Sequence, residues 1–106
     1  MLNSSEGIWI IGDTGVTVYA NQRMAEILGT TIPEMAGKSS FDYIFPDDLD
    51  EAQRLFASRQ RGCLEPFNFK LRRQDGSSII VHVQGTPLIN AQGEFSGIVG
   101  TFTASP

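Results

Sequence analysis

The hydrophobic positions along this chain follow two different periods. An apolar run at residues 8–11 is bounded by glycines, and its length suits a strand better than a helix. A turn at residues 12–15 then leads back into a second strand at residues 16–20. Directly afterwards, the apolar residues Met24, Ile27 and Leu28 take up helical spacing, so a short helix is predicted to follow the second strand.

The residues at the two ends of this short helix agree with that period. Asn21 stands where a side-chain oxygen can accept hydrogen bonds from the first turn, and Gly29 stands where a left-handed residue closes a helix. A helix this short is marginally stable in isolation. We therefore expect its apolar face to pack on the sheet that contains the first two strands.

Further helical signals continue to residue 62. Pro33 begins another short turn, and residues 40–45 predict one more. The one longer helix is predicted over residues 47–61, with Asp47 in a first turn that favours negative charge and Gly62 as its terminator. Its apolar face carries Leu49, Ala52, Leu55 and Phe56.

From residue 63 onward the period is two. Phe67, Phe69 and Leu71 alternate with polar residues, which predicts a strand with one buried face. A hairpin at residues 74–77 leads to a strand over residues 79–84, with Pro87 at its end or on an edge. A last strand is predicted over residues 95–103. The pattern therefore indicates an α+β fold: two strands, a helical block, then three strands joined by hairpins.

Three segments carry a family resemblance. Tyr19-Ala20-Asn21-Gln22, residues 33–39 and Phe45-Pro46-Asp47-Asp48 resemble the PAS sensor-domain family, in the order that this family shows them. The resemblance covers nearly the whole chain. It implies a five-stranded antiparallel sheet in the order 2-1-5-4-3, with the helices on one face. It also implies a single domain over residues 1–106 that is a fragment of a larger signalling protein.

Composition and charge narrow the partners. The 106 residues carry a net charge of −4, so the chain has no basic field to hold nucleic acid. Cys63 is the single cysteine and cannot form an internal disulfide. Because no apolar run approaches the ~20 residues that span a bilayer, we expect a cytoplasmic domain without direct membrane contact. The parent protein can still be membrane-anchored.

The candidate chemical groups favour structural roles. His82 is the only histidine, and a lone histidine on a strand is more typical of structure than of a metal site. Haem-binding members of the resembled family carry their ligand on the long helix, and residues 47–61 contain no histidine. Flavin photoreceptors of the family carry a reactive cysteine that residues 38–41 lack. We therefore expect no haem, flavin, metal or catalytic residue, while an unidentified small ligand stays open.

The resemblance implies a sensory and interaction module, not an enzyme. Such a module binds a small molecule or a partner domain and relays a change to an effector of the same polypeptide, such as a histidine kinase. A homodimer through the sheet face or edge is also open. If a small molecule binds, the candidate pocket residues are Met24, Leu28, Phe41, Ile44, Leu55, Phe56, Phe67, Phe69 and Leu71. The alternative is that these residues simply fill the core.

Two other functions compete with the sensor hypothesis. One is a small enzyme or carrier that uses His82 as a base in an apolar cavity, and the other is a docking domain without a ligand.

Trp9 and Tyr19 are expected to form an aromatic pair on adjacent strands. Alternatively, Trp9 lies on the outer face of the sheet and contributes to a protein contact.

Overall fold

The computed structural model describes residues 6–104 and contains five strands and three α-helices in that range. Two 3₁₀ turns, at Ser40–Tyr43 and Pro46–Asp48, precede the longest helix. In chain order the strands and α-helices are β1 (Gly7–Gly12), β2 (Thr17–Ala20), α1 (Gln22–Leu28), α2 (Ile32–Met35), α3 (Leu49–Gln60), β3 (Phe67–Arg72), β4 (Ser78–Ile89) and β5 (Phe95–Ala104).

The strands form one antiparallel sheet in the order β2-β1-β5-β4-β3, which confirms the expected topology. The first and last strands pair at its centre, with Trp9 opposite Gly100. A close approach in this pair requires glycine at position 97. Its φ of 156° is rarely adopted by other residues, and a Cβ there would lie 2.2 Å from the Ile11 carbonyl oxygen.

Trp9 lies on the face of the sheet that the helices cover, and Tyr19 lies on the opposite face. In the β1–β2 register Trp9 is opposite Ala20, and Tyr19 is opposite Ile10. Because neighbouring positions along a strand point to opposite faces, Trp9 and Tyr19 lie on different sides of the sheet. The predicted aromatic pair is therefore wrong, and so is the alternative that places Trp9 on the outer face. Trp9 is 4% exposed, whereas Tyr19 is 50% exposed.

Asn21 caps helix α1, as the sequence predicted, and it also attaches the helix to the sheet. The Asn21 side-chain oxygen accepts hydrogen bonds from the backbone N–H groups of Met24 and Ile8, both at 2.9 Å. At the other end Gly29 adopts the left-handed conformation, with φ 70°. The Arg73 guanidinium donates to the carbonyl of Ile27 at 3.0 Å, so the β3–β4 hairpin also holds the end of this helix.

The start of α3 differs from the expectation. Asp47 and Asp48 belong to the 3₁₀ turn, so α3 begins only at Leu49. Asp47 is exposed, and no side chain caps α3 by a hydrogen bond. Asp47 therefore lies in the first turn of the 3₁₀ segment that leads into α3, because Pro46 opens a tighter turn there. Asp50 and Glu51 occupy the first turn of α3 instead.

Strand β4 continues past the proline that was expected to end it or to lie on an edge. Its pairing with β3 stops at Val83, whereas its pairing with β5 continues to Ile89. Pro87 therefore lies on a stretch of β4 that has a neighbour on one side only, where a missing backbone N–H is tolerated.

None of the helices within residues 6–104 combines the length and the apolar character needed to cross a membrane.

Candidate functional site

An apolar cavity of about 120 Å³ lies between α3, the Ser40–Tyr43 turn and the inner face of the sheet, and it is partly open to solvent. Its walls come from β1, β3, β4 and β5 and from one face of α3. Protein interiors are normally packed with few voids larger than a water molecule. Space of this size is therefore a site where a small molecule fits.

Seven of the nine candidate pocket residues line this cavity, and two do not. Met24 and Leu28 are fully buried but lie in the core beneath α1. There α1 packs so closely on β1 that a Cβ at Gly7 would come within 2.8 Å of the Met24 sulfur. No space remains for a ligand, so the predicted lining is corrected at both positions. The seven lining residues are Phe41, Ile44, Leu55, Phe56, Phe67, Phe69 and Leu71.

Several lining residues were not anticipated from the sequence. Trp9 on β1 and Ile98 and Phe102 on β5 face the cavity. Ile98 and Phe102 could have been predicted from the alternation along β5, because positions 98, 100 and 102 share a face. Arg59 also lines the cavity, and its spacing from Leu55 and Phe56 places it on the same face of α3.

Aromatic rings form two walls of the cavity. On one side the Trp9 ring contacts the rings of Tyr43 and Phe102, with centroids 5.7 and 5.6 Å apart. On the other side the rings of Phe41 and Phe56 lie 5.8 Å apart. The wall at Trp9 is held in place, because the buried indole N–H donates to the Thr17 hydroxyl at 2.9 Å. The wall at α3 is less buried, since Leu55 and Phe56 are half-buried.

The polar end of the cavity is formed by Arg59, which is only 3% exposed. Its Nη2 donates to the backbone carbonyl of Glu65, and its Nη1 donates to the Ser58 hydroxyl at 3.3 Å. The guanidinium carbon lies 5.1 Å from the centre of the Phe67 ring, a cation–π distance.

The nearby thiol of Cys63 is more acidic than usual. A hydrogen bond from the Glu65 backbone lowers its pKa most, burial opposes that effect, and the positive charge of Arg59 lowers the pKa further. The structure places Cys63 outside the cavity lining. Arg59 thus influences both the cavity and this thiol.

His82 lies away from the cavity. It is exposed on the outer face of β4, with Nδ1 2.9 Å from the side-chain oxygen of Asn68. The enzyme or carrier hypothesis required His82 to point into the apolar interior, so the structure contradicts that hypothesis. Within residues 6–104 no cluster of three or more His, Cys, Asp or Glu side chains is arranged to hold a metal ion.

A second depression, of about 220 Å³, is polar. Two of its cations are already engaged, since Arg72 donates to the Asp42 carbonyl at 2.6 Å and Arg73 donates to carbonyls of α1. This depression is larger than the apolar cavity, but we interpret it as part of the contact between the β3–β4 hairpin and the helical block and not as a ligand site. It is lined by Lys38, Asp42, Tyr43, Arg72, Arg73 and Gln74.

Comparison with known proteins gives relatives in sequence and in fold. The chain is 32% identical over 95 residues to the uncharacterized protein y4lL of Sinorhizobium fredii, covering 88% of this chain and 11% of that protein. It is also 32% identical over 95 residues to the C4-dicarboxylate transport sensor protein DctS of Rhodobacter capsulatus, covering 83% of this chain and 14% of that protein. The chain therefore spans about a tenth of the length of these relatives.

A solved structure shows the same fold. The PAS-B domain of Drosophila melanogaster Cycle, with bound ethylene glycol, superposes with a TM-score of 0.80 at 17% identity, covering 93% of this chain and 99% of that one. The family of the PAS fold matches residues 1–104. This match, the strand order and the sequence relatives agree, and the chain belongs to the PAS family of sensor modules in signalling proteins.

Proposed function

We propose that this domain is the ligand-binding sensor of a larger signalling protein. A small, mostly apolar molecule occupies the cavity between α3 and the sheet. Its binding changes the packing of α3 and the central strands, and that change is relayed to an effector domain of the same polypeptide, such as a histidine kinase. The domain itself has a regulatory role.

The observation that supports this proposal most directly is the apolar cavity itself. In the filled-core alternative the same side chains would close on one another at normal packing density. Instead about 120 Å³ of space remains between them. An apolar cavity of ~150 Å³ is enough to bind benzene in another protein. A ligand of about that size is therefore the expected occupant.

The position of the cavity favours relay through the sheet. Ile98, Gly100 and Phe102 on β5 line it, and β5 lies between β1 and β4 in the middle of the sheet. The α3 wall contributes half-buried side chains, which can shift at lower cost than a fully packed core. A coupling of ~1–3 kcal/mol between ligand and output is typical of such systems.

The proposal is tested by filling the cavity from one side. Ala52 lies on α3 and faces the cavity, so Ala52→Leu should occupy part of the space and raise the free energy of unfolding by about 1 kcal/mol. Ala57→Leu makes the same change on the same helix at a position that does not line the cavity, and it is the matched control.

The readout is the melting temperature with neutral apolar probes such as toluene, indole and benzamide. We expect at least one probe to stabilise the wild type and the Ala57→Leu variant but not the Ala52→Leu variant. If no probe stabilises the wild type, or if Ala52→Leu responds as the wild type does, the ligand-binding proposal fails and the docking-only alternative takes its place.

Other features of the sensor hypothesis stay predictions. Homodimerisation through the outer face of the sheet is one, and exposed apolar residues such as Val18 and Tyr19 on β2 are compatible with it. A second prediction is that the domain binds neither haem nor flavin, and an absorption spectrum of the purified protein tests it. A cytoplasmic location is the third.

A further inference from the structure

Arg59 is an unusual residue for the wall of an apolar cavity. It is the one buried residue of α3, all of whose residues are described, and the one buried charged side chain within residues 6–104. The apolar residues on the same face of the helix are less buried than this arginine. Because transferring a charge out of water is costly, a buried arginine calls for a partner.

The partners that the structure gives Arg59 are neutral. Its two terminal nitrogens donate to the Glu65 carbonyl and the Ser58 hydroxyl. Its Nε is buried and has no hydrogen-bond partner. Within residues 6–104 no carboxylate lies at ion-pair distance from the guanidinium. Nε therefore remains without a hydrogen-bond partner, and within residues 6–104 no carboxylate balances the charge of Arg59 at the edge of the cavity, although that charge favours the thiolate of Cys63.

Gly85 on β4 lies directly beside that donor. A Cβ at position 85 would lie 3.1 Å from Nε of Arg59. The backbone of Gly85 does not adopt the left-handed conformation, so the fold itself does not require glycine there. Glycine at position 85 therefore lets the Arg59 side chain lie close against β4, at the edge of the cavity.

We propose that Arg59 binds the carboxylate of a ligand whose remaining part is apolar. This inference rests on the proposed function and specifies the chemical class of the ligand. A guanidinium offers parallel N–H donors that match the two oxygens of a carboxylate. Arg59 is the only charged residue among those lining the cavity, and Ser40 is the only other polar side chain there. The cavity is thus matched to a monocarboxylate with a small apolar body.

Because Arg59 is the only charged residue that lines the cavity, a dicarboxylate is not expected to be the ligand. A second carboxylate would have to enter the apolar part of the cavity without a cation, which is strongly unfavourable. Although the sequence relative DctS is by its name a C4-dicarboxylate transport sensor, the cavity of this chain offers a single positive group. Succinate is therefore a suitable negative probe, and benzoate a suitable positive one.

The experiment compares benzoate with benzamide, which has nearly the same shape and no charge. Dissociation constants are measured by calorimetry for the wild type and for Arg59→Met, with Arg54→Met as the control. Arg54 lies on the same helix, is exposed and pairs with Glu51, so this control changes the net charge equally without touching the cavity. A charge-assisted hydrogen bond predicts that the wild type binds benzoate about tenfold or more tightly than benzamide.

The preference for benzoate should persist in Arg54→Met and disappear in Arg59→Met, which should still bind benzamide. Gly85→Ala should weaken benzoate binding, because its Cβ, 3.1 Å from Nε, would displace the Arg59 guanidinium. Equal affinity of the wild type for both probes, or stronger binding of succinate than of benzoate, overturns this inference and leaves the proposed function in place. If neither benzoate nor benzamide binds the wild type and the neutral probes also fail, both proposals are overturned. The wild-type comparison decides the question even if Arg59→Met does not fold.

Discussion

Asn21 joins the first helix to the sheet, so its replacement is a direct test of how this fold is held together. The side-chain oxygen accepts one hydrogen bond from Met24 in the first turn of α1 and one from Ile8 on β1. The backbone N–H of Asn21 in turn donates to the Ile8 carbonyl at 3.0 Å. The side chain therefore caps the helix and also continues the hydrogen bonding of β1 beyond the end of β2.

We expect Asn21→Ala to lower the free energy of unfolding by about 2 kcal/mol. Loss of a helix N-cap typically costs about 1 kcal/mol. The half-buried N–H of Ile8 loses its partner as well, at a further cost of about 1 kcal/mol. For a domain of this size, the sum corresponds to a decrease in melting temperature of about 8 °C.

Urea unfolding followed by fluorescence measures this change. Trp9 is the only tryptophan and is buried in the folded protein, so its emission reports global unfolding. Asn21→Ser keeps an N-cap oxygen, but its shorter side chain does not reach Ile8, and we expect about half of the loss. Asn21→Asp keeps both accepting bonds and gives up the bond from Nδ2 to the Glu6 carbonyl. An alanine variant within about 0.5 kcal/mol of the wild type would refute the two-contact role.

Two further predictions concern the buried polar groups around the cavity. Thr17→Val should cost about 1–3 kcal/mol of stability, because the buried indole N–H of Trp9 loses its acceptor, whereas Thr17→Ser should be close to the wild type in the same urea experiment. Arg59→Met should raise the pKa of the Cys63 thiol, but not to its ordinary value. The hydrogen bond from the Glu65 backbone, which lowers this pKa most, remains in the variant. The pH dependence of iodoacetamide alkylation measures this change, and an unchanged midpoint would show that Arg59 does not act on the thiol.

The sign of the Cys63 effect on stability follows from the direction of its pKa. The thiol is more acidic in the folded protein than its ordinary value of 9.0, so the folded state favours the thiolate. Its contribution is fully present above that ordinary value and is lost as the pH falls through the folded pKa. Stability should therefore increase slightly as the pH rises towards 9.0, and the increase should be smaller in Arg59→Met.

Most of the fold could be predicted from local signals in the sequence. The change from period two to helical spacing at Asn21, and the glycine at position 29, identified α1 together with both of its ends. The hairpin turns identified the last three strands. The central pairing of β1 with β5 is a contact distant in sequence, and only the family resemblance implied it. Burial of side chains needs that same information, which is why Met24 was assigned to the cavity although it packs beneath α1.

The charged part of the site was harder to predict, because its signal is divided between two distant positions. An arginine in the last turn of a helix is adequately explained by the negative end of the helix dipole, and a glycine in a strand is adequately explained by a bulge. Only the fold brings Arg59 against Gly85 and shows that each position limits the other. A side chain at position 85 would press on Arg59, because its Cβ would lie 3.1 Å from Nε. The structural argument for a carboxylate ligand therefore depends on this pair, and variants at the two positions should weaken benzoate binding through the same contact.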